Sequence, residues 1–271
     1  MGLTSWIDVF RAQLFASVCW YRNNKWMIFS SFVWPYLMVG FLVGLGSLSG
    51  SIENYAERIG VSNPLFFLLS STVIAMSSLL IVFSVTRFAL ENRWLGTLPY
   101  ILLSPVRTTV IFIASGLPDA IITPTITVAS IAPAALYLEG LAGGLKILAV
   151  LAVVLFGMMP LVGFSVLVGS ALLFLREESN IADVIAPLVL LVSGIYYPLE
   201  ILPEVLQLIG LALPTTYVVE AAKLISAYLT PETRLLLTPV YVLTALTFGY
   251  NLIASLAIDK AERAVKRKGV L

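Results

Sequence analysis

The sequence predicts an all-α polytopic membrane protein with six transmembrane helices, an N-terminal interfacial helix, a cytoplasmic helical segment and an outward re-entrant helical hairpin. Three observations predict it. Hydrophobic residues make up 59% of the 271 positions and charged residues only 11%, whereas soluble domains carry about 25% charged residues. Mean hydropathy is +0.99. Several apolar runs also reach the roughly 20 residues that a helix needs to cross a hydrocarbon core about 30 Å thick.

The first element, residues 3–25, places Leu3, Ile7, Phe10, Leu14, Val18 and Tyr21 on one face at helical spacing, with Ser5, Asp8, Ala12 and Arg22 elsewhere. This pattern fits a helix lying in the interface, or an ordinary helix packed on a partner protein. No short apolar region with a cleavage site precedes the run beginning near Trp26, so a cleavable signal peptide is not expected. Met1-Gly2 is followed by Trp6 where a myristoylation signal needs Ser or Thr.

Spans are expected at about 26–48, 64–86, 108–137, 147–174, 181–198 and 235–258. The fifth ends in Tyr196-Tyr197 before Pro198, an interfacial aromatic anchor. Segment 199–234 is apolar but carries Glu200, Glu204, Glu220, Lys223, Pro203 and Pro214. Charge counting decides its role. With six spans and both termini cytoplasmic, twelve basic residues lie inside, including Arg87, Arg93, Arg107 and the tail 259–271; four lie outside, Arg58, Lys146, Lys223 and Arg234. A seventh span would move the basic tail outside, against the positive-inside rule. The expectation is therefore an outward hairpin that dips into the membrane. The whole chain, 1–271, reads as one transmembrane domain in the cell membrane, with no internal repeat.

Composition also excludes chemistry. Histidine is absent and Cys19 stands alone, which removes His-based triads and proton relays, disulfides within the chain and cysteine metal clusters. No catalytic or metal site is expected. A net charge of +1 gives no reason to expect nucleic acid. An intramembrane aspartyl protease needs paired Asp residues; of Asp8, Asp119, Asp183 and Asp259 only Asp119 and Asp183 approach the bilayer interior, without a Gly-x-Gly-Asp pattern.

Between the second and third spans, segment 87–107 mixes Arg87, Glu91 and Arg93 with an apolar run from Leu95 to Leu103, and contains Gly96, Thr97 and Leu98. Physically it reads either as a short amphipathic helix at the membrane surface or as a membrane-hugging loop. In the third span, Asp119, Thr123, Thr127 and Ser130 share one face. A carboxylate near a helix centre costs about 2.5–3.5 kcal/mol on insertion scales, so this stripe faces either a pathway or a helix–helix seam. A second stripe, Thr244, Thr247, Asn251 and Ser255, reads as interhelical hydrogen bonding, and Gly157, Gly163 and Gly169 as close packing. Arg176-Glu177-Glu178 reads as a solvated cytoplasmic loop.

The charged stretch followed by Gly96-Thr97-Leu98 and Leu102-Leu103-Ser104-Pro105-Val106 resembles the cytoplasmic coupling segment of type-2 ATP-binding-cassette permeases. Ser193-Gly194-Ile-Tyr-Tyr197-Pro198-Leu-Glu-Ile-Leu-Pro203 and Leu213-Pro214-Thr-Thr-Tyr217-Val-Val-Glu220 resemble the fifth span, outward hairpin and following stretch of the same family. The resemblance covers nearly the whole chain and is nearest to small drug- and glycolipid-exporting permeases.

It implies an exporter subunit acting with a second, identical permease copy and two cytoplasmic ATPase subunits. Arg87, Glu91, Arg93, Gly96, Thr97 and Leu98 would couple to the ATPase. Asp119, Thr123, Thr127 and Ser130 would line the pathway. Gly194, Tyr197, Pro198, Pro203, Pro214, Tyr217 and Glu220 would form an outward gate. ATP and magnesium would be bound by the partner, because no G-x-x-x-x-G-K-[ST] occurs here; Gly140 to Lys146 has Leu145 and Ile147 at the wrong positions. An ion-coupled carrier, a channel and a membrane assembly protein are the other readings; one buried Asp and no repeat argue against a carrier.

Overall fold

A computed structural model describes residues 3–49, 63–175, 181–227 and 233–267, and among these all regular structure is helical. Helix α1 (Leu3–Asn23) is joined to α2 (Lys25–Ser49) by Asn24 alone. Its side-chain amide donates to Trp20 O at 2.9 Å, holding the corner. The inward side of α1 carries Tyr21, while Ile7 and Val18, expected on the apolar face, are exposed.

Helix α3 (Pro64–Trp94) starts where its sequence dictates. Asn63 accepts from Phe66 N at 3.1 Å, and Pro64 occupies the first helical position, where the missing N–H costs nothing. This helix forms the middle of the bundle, with Phe66, Phe67, Val73, Ile74, Ile81, Val82 and Val85 fully buried. It continues past residue 86, the expected end of the span. Arg87, Glu91 and Arg93 therefore sit on its last turns, and the separate surface helix is only α4 (Leu98–Leu102). The physical reason is Gly96, the first residue able to adopt the left-handed conformation that ends the helix.

The expected spans 108–137 and 147–174 lie in one helical stretch, α5 (Thr108–Leu175), broken only at Gly140. A straight helix of 68 residues would be about 100 Å long at 1.5 Å per residue. The chain instead folds back at Gly140, whose φ of 60° and ψ of −144° are non-helical. A Cβ on Gly143 would lie 2.1 Å from Ala135 O, and one on Gly144 would lie 2.9 Å from Leu136 Cδ2. Those contacts exist only if the two arms, 108–139 and 141–175, run back along each other. The loop expected at 138–146 is thus a reversal of one residue.

Helix α6 (Ala182–Val192) is shorter than the expected span 181–198. Eleven residues extend about 16 Å, half the hydrocarbon thickness. It stops because Ser193 and Gly194 turn the chain, Gly194 having φ +68°. A 3-10 turn, Leu199–Ile201, leads to α7 (Glu204–Ala212) and α8 (Pro214–Ala227), which meet at 86° across Leu213. Helix α9 (Thr233–Arg267) completes the described chain.

Four of these helices, α2, α3, α5 and α9, are long and apolar enough to cross a membrane, or five if the bent pair α7–α8 counts as one span. They mark the chain as membrane-embedded. The expected loop Arg176-Glu177-Glu178 and the last residues of the basic tail lie outside the described residues. The core lies where α3 packs between both arms of α5, with α8 and α9 against the second arm. Gly163 lets the second arm of α5 approach the backbone of α9: a Cβ there would lie 2.9 Å from Asn251 N and 3.0 Å from Tyr250 C.

Candidate functional site

At the α4 end of the bundle, the chain leaves α3 through paired capping bonds. Gly96 N donates to Arg93 O at 3.1 Å and Thr97 N to Asn92 O at 2.9 Å, with Gly96 at φ +69°. This is the Schellman arrangement, which satisfies carbonyls that a helix terminus otherwise leaves unpaired. The Thr97 hydroxyl adds a 2.7 Å bond to Asn92 Oδ1. Arg93 Nη2 donates to Leu172 O at 3.0 Å, near the end of the second α5 arm, where a cation is favoured by the helix dipole. Glu91 pairs with Arg87 at 2.9 Å, one helical turn away.

Helix α4 is anchored by Leu98 and Leu102, which are buried with Val85, Ala89, Phe112, Val166, Leu173, Ala254 and Ile258. That cluster joins α3, both arms of α5 and α9. Tyr100 and Leu103 at α4 are exposed, as are Trp94 and Leu95 at the end of α3. Of the six residues the sequence placed in this contact, Thr97, Arg93 and Leu98 are therefore engaged within the fold, Arg87 and Glu91 form an exposed pair, and Gly96 sets the turn. The exposed apolar group was not singled out from sequence. Its signal was available in the four-residue spacing of Leu98 and Leu102, which leaves Tyr100 and Leu103 on the other side.

Beside this end lies a cavity of about 350 Å³ between α1, the start of α2, α3 and the first arm of α5. Arg87, Glu91 and Asn92 line it together with Asp119, so one chamber contains residues the sequence assigned to two separate roles. Tyr21 donates to Asp119 Oδ1 at 3.4 Å and lies 3.4 Å from Thr123 Oγ1. The Ser84 hydroxyl sits between Ser115 O, at 3.2 Å, and the Asp119 carboxylate. The Arg87 guanidinium lies over the Trp20 ring, 5.5 Å from its centroid. Burial, with the Asp119 carboxylate beside it, pushes the Tyr21 phenol up to about 12. Tyr21 thus remains a neutral donor. Tyr21, Trp20 and Ser84 were missed in the sequence because nothing local brings α1 across α3 and α5.

The rest of the third-span stripe is packed between helices. Thr123, Thr127 and Ser130 are buried. The Ser130 hydroxyl donates to Phe32 O at 2.7 Å while Tyr36 on the same helix donates to Ser130 O at 2.6 Å, a reciprocal clasp between α2 and α5. In the other stripe, Thr244 and Thr247 bond back to Val240 O and Leu243 O of their own helix. Asn251 reaches Met159 O at 3.5 Å.

The third group surrounds the α6–α8 turns. A Cβ on Gly194 would lie 2.8 Å from Leu199 Cδ1, and one on Gly210 would lie 2.5 Å from Val192 O. Tyr197 donates to Leu191 O, and Tyr217 donates to Leu211 O at 2.8 Å. Pro198 and Pro203 flank the 3-10 turn, Pro214 opens α8 and is buried, and Glu220 is exposed. Tyr250 of α9 donates to Ala212 O at 2.8 Å, tying the bend to the bundle.

Neither protein-family models nor curated proteins match the chain.

Proposed function

We propose that this chain is the membrane-spanning permease subunit of an ATP-binding-cassette exporter, working as a pair of identical subunits on two separate cytoplasmic ATPase subunits. The observation that carries the reading is the construction of α4. Tyr100 and Leu103 at α4 are exposed together with Trp94 and Leu95 at the end of α3, while Leu98 and Leu102 root α4 in a cluster shared by α3, α5 and α9. A docked ATPase that moved between nucleotide states would displace α4 as a lever. The displacement would pass to both arms of α5, because a packed cluster transmits strain rather than absorbing it.

In this reading the six crossings are α2, α3, the two arms of α5, α6 with the turn after it, and α9. Both termini are cytoplasmic, in the cell membrane. The bent pair α7–α8 is the outward re-entrant hairpin, and Gly194, Tyr197, Pro198, Pro203, Pro214, Tyr217 and Glu220 belong to the outward gate. The cargo is a drug, lipid or glycolipid, with Asp119 at the inner end of its path. ATP and magnesium belong to the partner.

The test is affinity purification of the tagged chain from its native membrane. It is repeated with Glu91→Ala, Arg93→Ala and Thr97→Ala, and with the paired change Tyr100→Glu and Leu103→Glu. A soluble ATPase recovered with the original chain and reduced in the variants is the expected result. Recovery of no ATPase under several mild detergents would replace this reading with a carrier, channel or assembly protein.

A further inference from the structure

The charge of the chamber beneath α1 does not balance. Arg87 and Glu91, 2.9 Å apart, neutralise each other, and Tyr21 is a neutral donor. Asp119 remains. It forms no ion pair within 4 Å with any described residue; the Tyr21 hydroxyl donates to it, the Ser84 hydroxyl lies beside it, and the Arg87 guanidinium acts on it from across the chamber. One carboxylate is therefore left facing a cavity of about 350 Å³, a volume at the lower end of small-molecule sites. An opposite charge brought within about 4–6 Å favours the ionised form of such a group.

The walls specify what kind of cation. Leu80, Phe83, Phe88, Met27 and Trp20 supply the apolar lining. Trp20 already accepts the Arg87 guanidinium on its ring, so this wall accommodates cation–π contact. A hard metal ion would need six or more oxygen ligands, and the chamber offers one unpaired carboxylate and a few hydroxyls.

We propose that this chamber binds a monovalent organic cation with an apolar or aromatic body, its charged nitrogen against Asp119 and its body against Trp20, Phe83 and Phe88. As a cargo class this rests on the exporter reading above; as a binding site it stands without it.

The probe is labelled benzyltrimethylammonium, measured by equilibrium dialysis against the full chain in nanodiscs of zwitterionic lipid, with empty discs subtracted. The neutral isostere neopentylbenzene serves as competitor. Saturable binding is expected, weakened at least about tenfold by Asp119→Asn, abolished by Ser17→Phe at the chamber wall, and unchanged by Glu204→Gln on exposed α7. Ser17→Phe carries the test if Asp119→Asn fails to elute as a monodisperse helical protein. Uptake no greater than that of empty discs, equal binding by Asp119→Asn and the original chain, or equal competition by neopentylbenzene would overturn the proposal. Cation binding without ATPase recovery would remove the exporter reading and leave the site. ATPase recovery without cation binding would do the reverse.

Discussion

Lys146 Nζ lies 2.8 Å from Glu139 Oε2 across the reversal at Gly140, with both side chains largely buried. The same ammonium donates to Ser226 O at 3.1 Å and faces the Phe66 ring, 5.6 Å from its centroid. One cation thereby joins the two arms of α5 to the last turn of α8 and the first turn of α3. Removing one partner of a buried pair leaves the other charge uncompensated, at a cost of about 3–5 kcal/mol. Lys146→Met is expected to lower the unfolding temperature in detergent clearly. The double variant Glu139→Gln with Lys146→Met should recover most of that loss, and a double variant as unstable as the single would exclude an electrostatic cause.

Gly163 and Gly249 make a controlled comparison. A Cβ at Gly163 meets the backbone of α9, whereas one at Gly249 meets nothing within 4 Å. Overpacking of this kind costs about 1–3 kcal/mol. Gly163→Ala should reduce stability by that amount, and Gly249→Ala should leave it the same or raise it slightly through helix propensity. Chemical denaturation of both variants checks the order.

Gly140 and Gly96 have open space around a Cβ but positive φ. Gly140→Val therefore tests conformation rather than packing, with an expected cost of about 1–3 kcal/mol. At Gly96 the bulky change Gly96→Trp should preserve membrane insertion, because the α3 core is untouched, and, if the chain is the proposed exporter subunit, should abolish transport by distorting α4. Insertion is read by membrane fractionation and transport by cargo efflux. Normal efflux by that variant would remove α4 from the coupling role.

Tyr21 gives a pH dependence with a defined sign. Its folded pKa, about 12, lies above the ordinary value of 10.0, so the unfolded chain releases this proton first as pH rises. The contribution of Tyr21 to stability is complete below about pH 10 and is lost as pH rises toward 12. Alkaline titration followed by phenolate absorbance should lose one high-pH component in Tyr21→Phe. That variant should also lose less stability than the original chain across this window.

Much of the fold was legible because lipid imposes a simple rule: backbone groups must be satisfied within the segment, so apolar runs become helices. The run from Trp26, the Pro64 start of α3 and the polar breaks before Thr108 and Thr233 all follow it. Gly96 and Gly194 both turn the chain at positive φ, Gly194 inside what reads in the sequence as the fifth span. The last turns of α3 were misread because Arg87, Glu91 and Arg93 looked like part of a separate surface helix or loop. On a helix, Arg87 and Glu91 are neighbours at four-residue spacing and stabilise it.

The sequence by itself determined a helical, membrane-embedded chain without histidine chemistry, with a charged segment ending at Gly96 and a polar stripe beginning at Asp119. Only the tertiary structure decided that Arg87 and Asp119 share one chamber, that Tyr21 closes onto it, and that Lys146 and Glu139 pair across Gly140. The physical reason is range. Helix formation and termination depend on residues within about one turn, whereas Tyr21 and Asp119 are 98 positions apart and meet only because the packing of α1 against α5 brings them together.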